Sequence, residues 1–372
     1  MSALLEFISN NSNWEELLAQ KCVKVKYKDN LAIFNYELNM GIDLGINIDF
    51  LDPVVRECRG IVVDLNTNKI ICHPFDKFGN YTEYYADDID WSTARVQDKI
   101  DGSLVKLYWY NGQWNWATNG MIDAKDAPTS SSRYSTFEDL IKSAVNYKDI
   151  PFWSLDKDST YMFELTSPEN RIVIEYNYTQ LWHLGTRHNK SGIELDVNIG
   201  IIKPNEYPLK SLDDCIIAVE KLNKYDRCDY EGFVVVDKNY HRVKIKSMSY
   251  LTVHRLKDSG GSLTKRRMIE LITAHTNVDK LCEDFPNEAC VIYWYKYQMA
   301  KLEKQVTSFV AFARSLWEEY EHDRKAFALQ IKDERLKGFG FDAIDNMDKS
   351  PREIIYGAKL STIEKFIEDF TD

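Results

Sequence analysis

The chain has 372 residues, long for one average domain and comfortable for two, and its 44% hydrophobic and 13% aromatic content can furnish a core, which excludes a disordered or fibrous protein. A net charge of −11 and a pI near 5.3 exclude a protein that coats nucleic acid by bulk electrostatics, so any polynucleotide contact has to be local. No run approaches about eighteen uninterrupted apolar residues and the N-terminus carries acids where a signal peptide wants a basic flank, so the chain reads as soluble, unsecreted and without a membrane partner. Its seven cysteines, never spaced C-x-x-C, fit reduced thiols in a cytosol.

In chain order, an opening helix is expected to start at a capping box of Ser12 with Glu15. Short β-branched and aromatic runs then alternate with turn residues, predicting strands over 23–28, 31–37, 59–64, 69–73, 94–98, 103–110 and 113–118. A helix near 134–146, after Ser132, Ser135 and Thr136, puts Phe137, Leu140, Ile141 and Val145 on one face. Strands follow over 160–166, 171–175 and 180–186, a helix near 209–222, and strands over 231–237 and 242–246. These strands follow one another too closely for helical crossovers, so the fold class is α+β with strongly antiparallel character. From Arg242 to Arg267 the chain is basic, with Lys244, Lys246, Arg255, Lys257, Lys265 and Arg266 against the single acid Asp258. Asp258-Ser-Gly-Gly-Ser262 changes the texture, and nearly everything after it has a 3.6-residue period. Residues 287–321 carry an apolar stripe that includes Ile292, Tyr293, Met299, Leu302, Val306, Val310, Phe312 and Leu316. Ser350 with Glu353 and Ser361 with Glu364 mark two further helix starts.

The residues that carry chemistry are Lys99-Ile100-Asp101-Gly102, followed by a strand. Upstream stands Glu57-Cys58-Arg59-Gly60-Ile-Val-Val; downstream come Phe163-Glu164, Glu231-Gly232-Phe-Val-Val-Val and Val243-Lys244-Ile245-Lys246. Lys244 and Lys246 alternate with apolar residues, so both point to one face of a strand. No G-x-x-x-x-G-K-[ST] loop and no G-x-G-x-x-G fingerprint competes with these motifs. The histidines form no close metal-ligand pair on one helix face; His254, after the basic strand, is the one worth revisiting.

In this order and spacing the motifs resemble those of the covalent nucleotidyltransferase superfamily of polynucleotide ligases and RNA capping enzymes. The strings CRGIVV, KIDGSLV, FELTSPENRIVIEY, EGFVVV and VKIKS resemble, more narrowly, the RNA ligase 1 family of T-even-type bacteriophages, over roughly residues 30 to 255. The resemblance implies a nucleotidyltransferase domain, ATP-grasp-like with mostly antiparallel sheets; the change of texture places it over residues 1–257 and an all-helical domain over 258–372, to which the family analogy gives the choice of RNA. It implies an ATP-dependent RNA ligase working through a lysyl-AMP on Lys99, with magnesium or manganese, joining RNA 5′-phosphate and 3′-hydroxyl ends, a nicked tRNA loop among them. It also implies a phage or other viral source, a host-cytoplasmic location and a monomer. A DNA ligase or GTP-using capping enzyme shares the motifs but normally continues into a small β-barrel, and a non-catalytic RNA-binding relative is the third reading.

Attack of a lysine amine on the α-phosphate of ATP requires the neutral amine, and an ordinary lysine is protonated at pH 7. Lys244 and Lys246 placed near Lys99 are therefore expected to depress its pKa and to grip the phosphate oxygens. Glu231, and next Glu164, are the carboxylates for magnesium or for the ribose hydroxyls. Arg59 suits a phosphate or ribose, and Gly102 and Gly232 are expected to let backbone approach the nucleotide. Lys77 matches a family lysine at the nucleotide site, with Phe78 or Tyr81 standing in for an aromatic absent at Gly79. Where the family offers a lysine to the leaving phosphates this chain has Asn119, which leaves Lys125 or Lys106 to supply the charge. Trp182 and His183 stand where the superfamily often sets an aromatic against adenine, or else in the core.

Overall fold

A computed structural model describes residues 2–129, 131–222, 230–247, 250, 265–273, 278, 282, 289–333 and 335–367. The backbone separates into two compact units, one of residues 1–221 with 229–247, the other of 222–228 with 248–372. The boundary expected at Asp258, together with His254, Arg255 and Lys257, lies outside the described residues.

The first unit is α+β with every strand pair antiparallel, as expected from the spacing of the runs. One sheet is β1 (Val23–Lys28), β2 (Leu31–Tyr36), β3 (Arg59–Asp64) and β4 (Lys69–Cys72), in that order. The others draw on β5 (Arg95–Asp98), β6 (Ser103–Tyr110), β7 (Gln113–Thr118), β8 (Ser159–Thr166), β9 (Gln180–His188), β10 (Glu194–Leu195), β11 (Glu206–Tyr207), β12 (Gly232–Val236) and β13 (Arg242–Lys246). Their orders are β10-β9-β8-β6-β7 and β11-β5-β12-β13. The β6–β7 hairpin turns on Asn111 and Gly112, both at positive φ, the pairing a type I′ turn demands.

Several expectations fail locally, and Val145, expected on the buried face of its helix, is exposed. The opening segment is two helices: Trp14–Gln20 starts after Asn13 with no side-chain cap where a box at Ser12 is expected, and Ala3–Asn10 before it is capped by Ser2. Glu57 completes that cap: its carboxylate accepts from Ser2 Oγ at 2.6 Å and from the amides of Ala3 and Leu4 at 3.1 and 2.9 Å, satisfying donors that a helix start leaves open. Residues 171–175 are not a strand, because the amides of Val173 and Ile174 are taken by Asp101 Oδ2 at 2.8 and 2.6 Å. Asp101 is 3% exposed, so Asp101→Ala should leave buried donors unpaired and lower stability by about 3 kcal/mol, read as an earlier midpoint in urea unfolding.

The elements described in the second unit are helices. Its central helix, Ala289–Glu319, buries Ile292, Met299, Leu302, Val306 and Val310 against Met268, Ile269, Phe339 and Ile355. Tyr293 and Phe312, expected on the buried stripe, face outward, while Tyr295 is in the core. Ser350 caps the helix Pro351–Gly357 with Glu353 as read from the sequence; the last helix, Leu360–Glu364, starts after Lys359 without a side-chain cap. Among the described residues no helix is long and apolar enough to cross a membrane.

Candidate active site

Lys99 stands where the chain leaves β5 of the third sheet for β6 of the second, its amide donating to Gly232 O at 2.9 Å. Opposite Gly232 on β13 is Lys246, and Lys244 pairs with Val234. Val243 and Ile245 pack with Phe233, Val235 and Cys215, so the alternation on β13 turns both lysines to the other face, as their spacing predicts. Lys99, Lys244, Lys246, Arg59 and Glu164 line one cavity of about 180 Å3, walled by Phe75, Phe78, Leu104 and Val234.

Glu231, 2% exposed, is the hub of this site. Its Oε1 accepts from Lys99 Nζ at 2.8 Å and from Lys246 Nζ at 2.9 Å, with the two lysines 20% and 19% exposed. That pairing reverses the expected electrostatics of Lys99. Burial favours its neutral amine, but the carboxylates of Glu231 and Glu164 outweigh burial and leave it above the ordinary lysine value. The depressed amine is that of Lys244, pushed well below its ordinary value by burial and by Lys77, Arg59, Lys99 and Lys246. Among the described residues Lys244 reaches no carboxylate; it donates to Phe78 O at 3.0 Å and lies 4.5 Å from the Phe78 ring centre.

Glu164 is pushed up to about 7 by burial, with Lys99 opposing and Glu231 adding to the rise. A carboxyl that holds its proton longer folded than unfolded adds stability at acid pH. That stability fades as pH climbs from the ordinary glutamate value to about 7. Glu164→Gln should therefore gain on wild type by no more than about 3 kcal/mol between pH 4.5 and pH 7.5, measured by urea unfolding with chelator and without nucleotide.

Oε2 of Glu231 is buried with no hydrogen-bond partner among the described residues. An orphaned carboxylate oxygen beside a second carboxyl is suited to a hard divalent cation. Two carboxylates do not complete a shell, and no group of three metal-ligating side chains occurs among the described residues, so the remaining oxygens have to come with the ligand.

Several expected residues take other positions. Lys77 does not line the cavity; its ammonium is held 5.5, 5.2 and 5.6 Å from the ring centres of Tyr36, Phe50 and Tyr85. Phe78 lines the cavity, with the Arg59 guanidinium 5.6 Å from its ring centre; Tyr81 does not. Gly102 and Gly232 make room for protein backbone: a Cβ at Gly102 would strike Leu165 O, and one at Gly232, where φ is +144°, would strike Ile245 O. Trp182 donates to Thr166 Oγ1 at 3.1 Å and His183 packs 5.4 Å from Phe163, so neither is a cavity wall. Lys125 is exposed and 3.9 Å from Glu138, and Lys106 is fully buried.

Arg242 also joins the cavity wall, a position its place in the basic run did not reveal. It forms a two-pronged ion pair with Glu194 of β10 and lies 4.3 Å from the Phe75 ring centre, tying the third sheet to the second.

Residues 57–250, which contain every one of these cavity residues, match the family model described as RNA ligase. The chain belongs to that family. It is 32% identical to the putative bifunctional polynucleotide kinase/RNA ligase of Autographa californica nuclear polyhedrosis virus, a match over 73% of this chain and 40% of the relative, so this chain spans well under half of that protein. It is 23% identical to an RNA ligase of Rhodothermus phage RM378, over 91% of this chain and 92% of the relative. Among solved structures, an archaeal ATP-dependent RNA ligase overlays with a TM-score of 0.47 at 12% identity, over 82% of each chain.

Proposed function

We propose that this protein is an ATP-dependent RNA ligase whose nucleophile is Lys99. The observation that carries the reading is the K-x-D-G lysine seated in a cavity, bound to Glu231 and sharing the walls with Lys244, Lys246 and Arg59. In the first step Lys99 Nζ bonds to the α-phosphorus of ATP as the bond to the β-phosphate oxygen breaks and pyrophosphate leaves. An RNA 5′-phosphate oxygen then takes the AMP from the lysine, and a 3′-hydroxyl attacks that 5′-phosphorus, sealing the strand and expelling AMP. Each step is in-line transfer at phosphorus, so one cationic cavity serves all three.

Lys244, Lys246 and Arg59 are the phosphate-binding groups, aimed where charge builds in the transition state. Lys99 is stored as its ammonium, and since burial already favours the neutral amine, cancelling the charge of Glu231 and Glu164 frees the nucleophile. Glu231 and Glu164 would be the residues to hold magnesium, which would supply positive charge beside them and shield the phosphates. Residues 1–257 are assigned the nucleotidyl transfer and 258–372 the choice of RNA, a nicked tRNA being the candidate substrate. A cytoplasmic location fits the free cysteines among the described residues.

The test is covalent labelling. Incubated with a divalent cation and α-labelled ATP or GTP and then denatured, the polypeptide should retain label from ATP. Label from GTP alone would point to a capping activity, and none from either to a binding protein.

A further inference from the structure

Lys106 is the most deeply buried cation of the first unit, with 0% exposure, and it lies in the middle of β6 between Ala117 of β7 and Met162 of β8. A lysine inside a protein is costly unless it is paired. Its Nζ donates instead to a backbone carbonyl, that of Gly60, at 2.5 Å. The reason this carbonyl needs a donor lies in the register of the first sheet. Phe34 pairs with Ile61 and Asn35 with Arg59, so Gly60 is the extra residue of a β-bulge, and its φ is +84°. A Cβ on Gly60 would come within 2.5 Å of Lys106 Nζ and 2.7 Å of Asn119 O, so the bulge, the lysine and Asn119 form one closely fitted unit.

Bulges beside active sites re-aim a side chain. Here the side chain next to the bulge is Arg59, which lines the cavity with Lys99 and Lys244. We propose that Lys106 is a positioning residue: by fixing the bulged Gly60 carbonyl from the second sheet, it sets the Arg59 guanidinium in the phosphate end of the nucleotide cavity. Lys106 touches no substrate and acts through Arg59. Burial pulls its amine down to about 8, with Cys72 raising and Arg59 lowering it, so it enters the neutral pH range largely charged.

The inference rests on the ligase reading, and the experiment separates the two. The full-length chain is labelled in single turnover over a range of α-labelled ATP concentrations, as wild type, Lys106→Met, Arg59→Ala and the double variant, with thermal melting to establish that each is folded. Absence of label in wild type would sink the ligase reading itself. With wild type active, Lys106→Met should raise the ATP concentration for half-maximal labelling by roughly ten- to a hundredfold, the range that residues supporting a contacting group command, with a smaller change in maximal rate. The double variant should be no worse than Arg59→Ala alone. Full additivity of the two losses, or an unchanged Lys106→Met, would overturn the inference. Lys106→Gln keeps an N–H donor for Gly60 O and should recover part of the affinity; a loss equal to that of Lys106→Met would also overturn it. Should Lys106→Met not fold, Lys106→Gln takes its place in the cycle with Arg59→Ala, where additivity again counts against the proposal.

Discussion

Lys99→Ala should abolish the covalent AMP adduct, lowering labelling by on the order of a thousandfold or more, because no other group supplies the nitrogen that becomes bonded to phosphorus. The same variant should still seal RNA whose 5′-end already carries AMP, since that step uses the RNA 3′-hydroxyl as nucleophile. The pair of outcomes separates a chemical role from a folding role: a misfolded variant would lose both. Lys246→Ala is expected to lose the adduct too, for it removes a cation from the cavity and leaves Glu231 shared by one lysine instead of two. Labelling of Lys99→Ala at the wild-type level would place the nucleophile elsewhere.

Glu231→Ala should have the second large effect, on stability and chemistry together. Its carboxylate is the shared partner of two mostly buried ammonium groups, and removing it leaves both charges without that acceptor. Removal of one partner of a buried ion pair typically costs 3–5 kcal/mol, and because both lysines keep some contact with water a loss of about 3 kcal/mol is expected here. The chemical effect has a distinct sign. Without Glu231 the largest cause that raises Lys99 against burial is gone, so the amine should fall from its wild-type value toward the neutral form. Lys99 in Glu231→Ala should then react with an amine-directed reagent at a lower pH than in wild type, while adduct formation from ATP falls with the loss of the carboxylate proposed to bind the cation. Unchanged reactivity of Lys99 with pH would show that Glu231 does not govern its charge.

The motif residues were legible in the sequence because spacing along a strand carries over into space: Val243 to Lys246 alternate on paper and in β13 alike. Strand positions were legible for the same reason, and Asn111-Gly112 marks its hairpin within its own few residues. What the sequence hid is the partner each charge meets, since partners come from distant segments. The sign of the shift on Lys99 depends on Glu231, not on the lysines of β13, and nothing in the order of motifs says which of the three approaches it most closely. Lys77 is turned into a ring of Tyr36, Phe50 and Tyr85, contributed by three separate segments. Residues 171–175 have the composition of a strand and lose it to Asp101, whose carboxylate takes two of their amides. Gly102 and Gly232 each stand against a carbonyl of a neighbouring strand that a Cβ would strike, a neighbour the motif order does not name.

The central claim is that AMP resides on Lys99. Wild-type protein incubated with ATP and magnesium, then digested and analysed by mass spectrometry, tests it without any substitution. The peptide containing Lys99 should carry the mass of one adenylate, lost on acid treatment as a phosphoramidate requires. An adenylate on Lys244 or Lys246, or none on any peptide while RNA ends are being joined, would contradict the account.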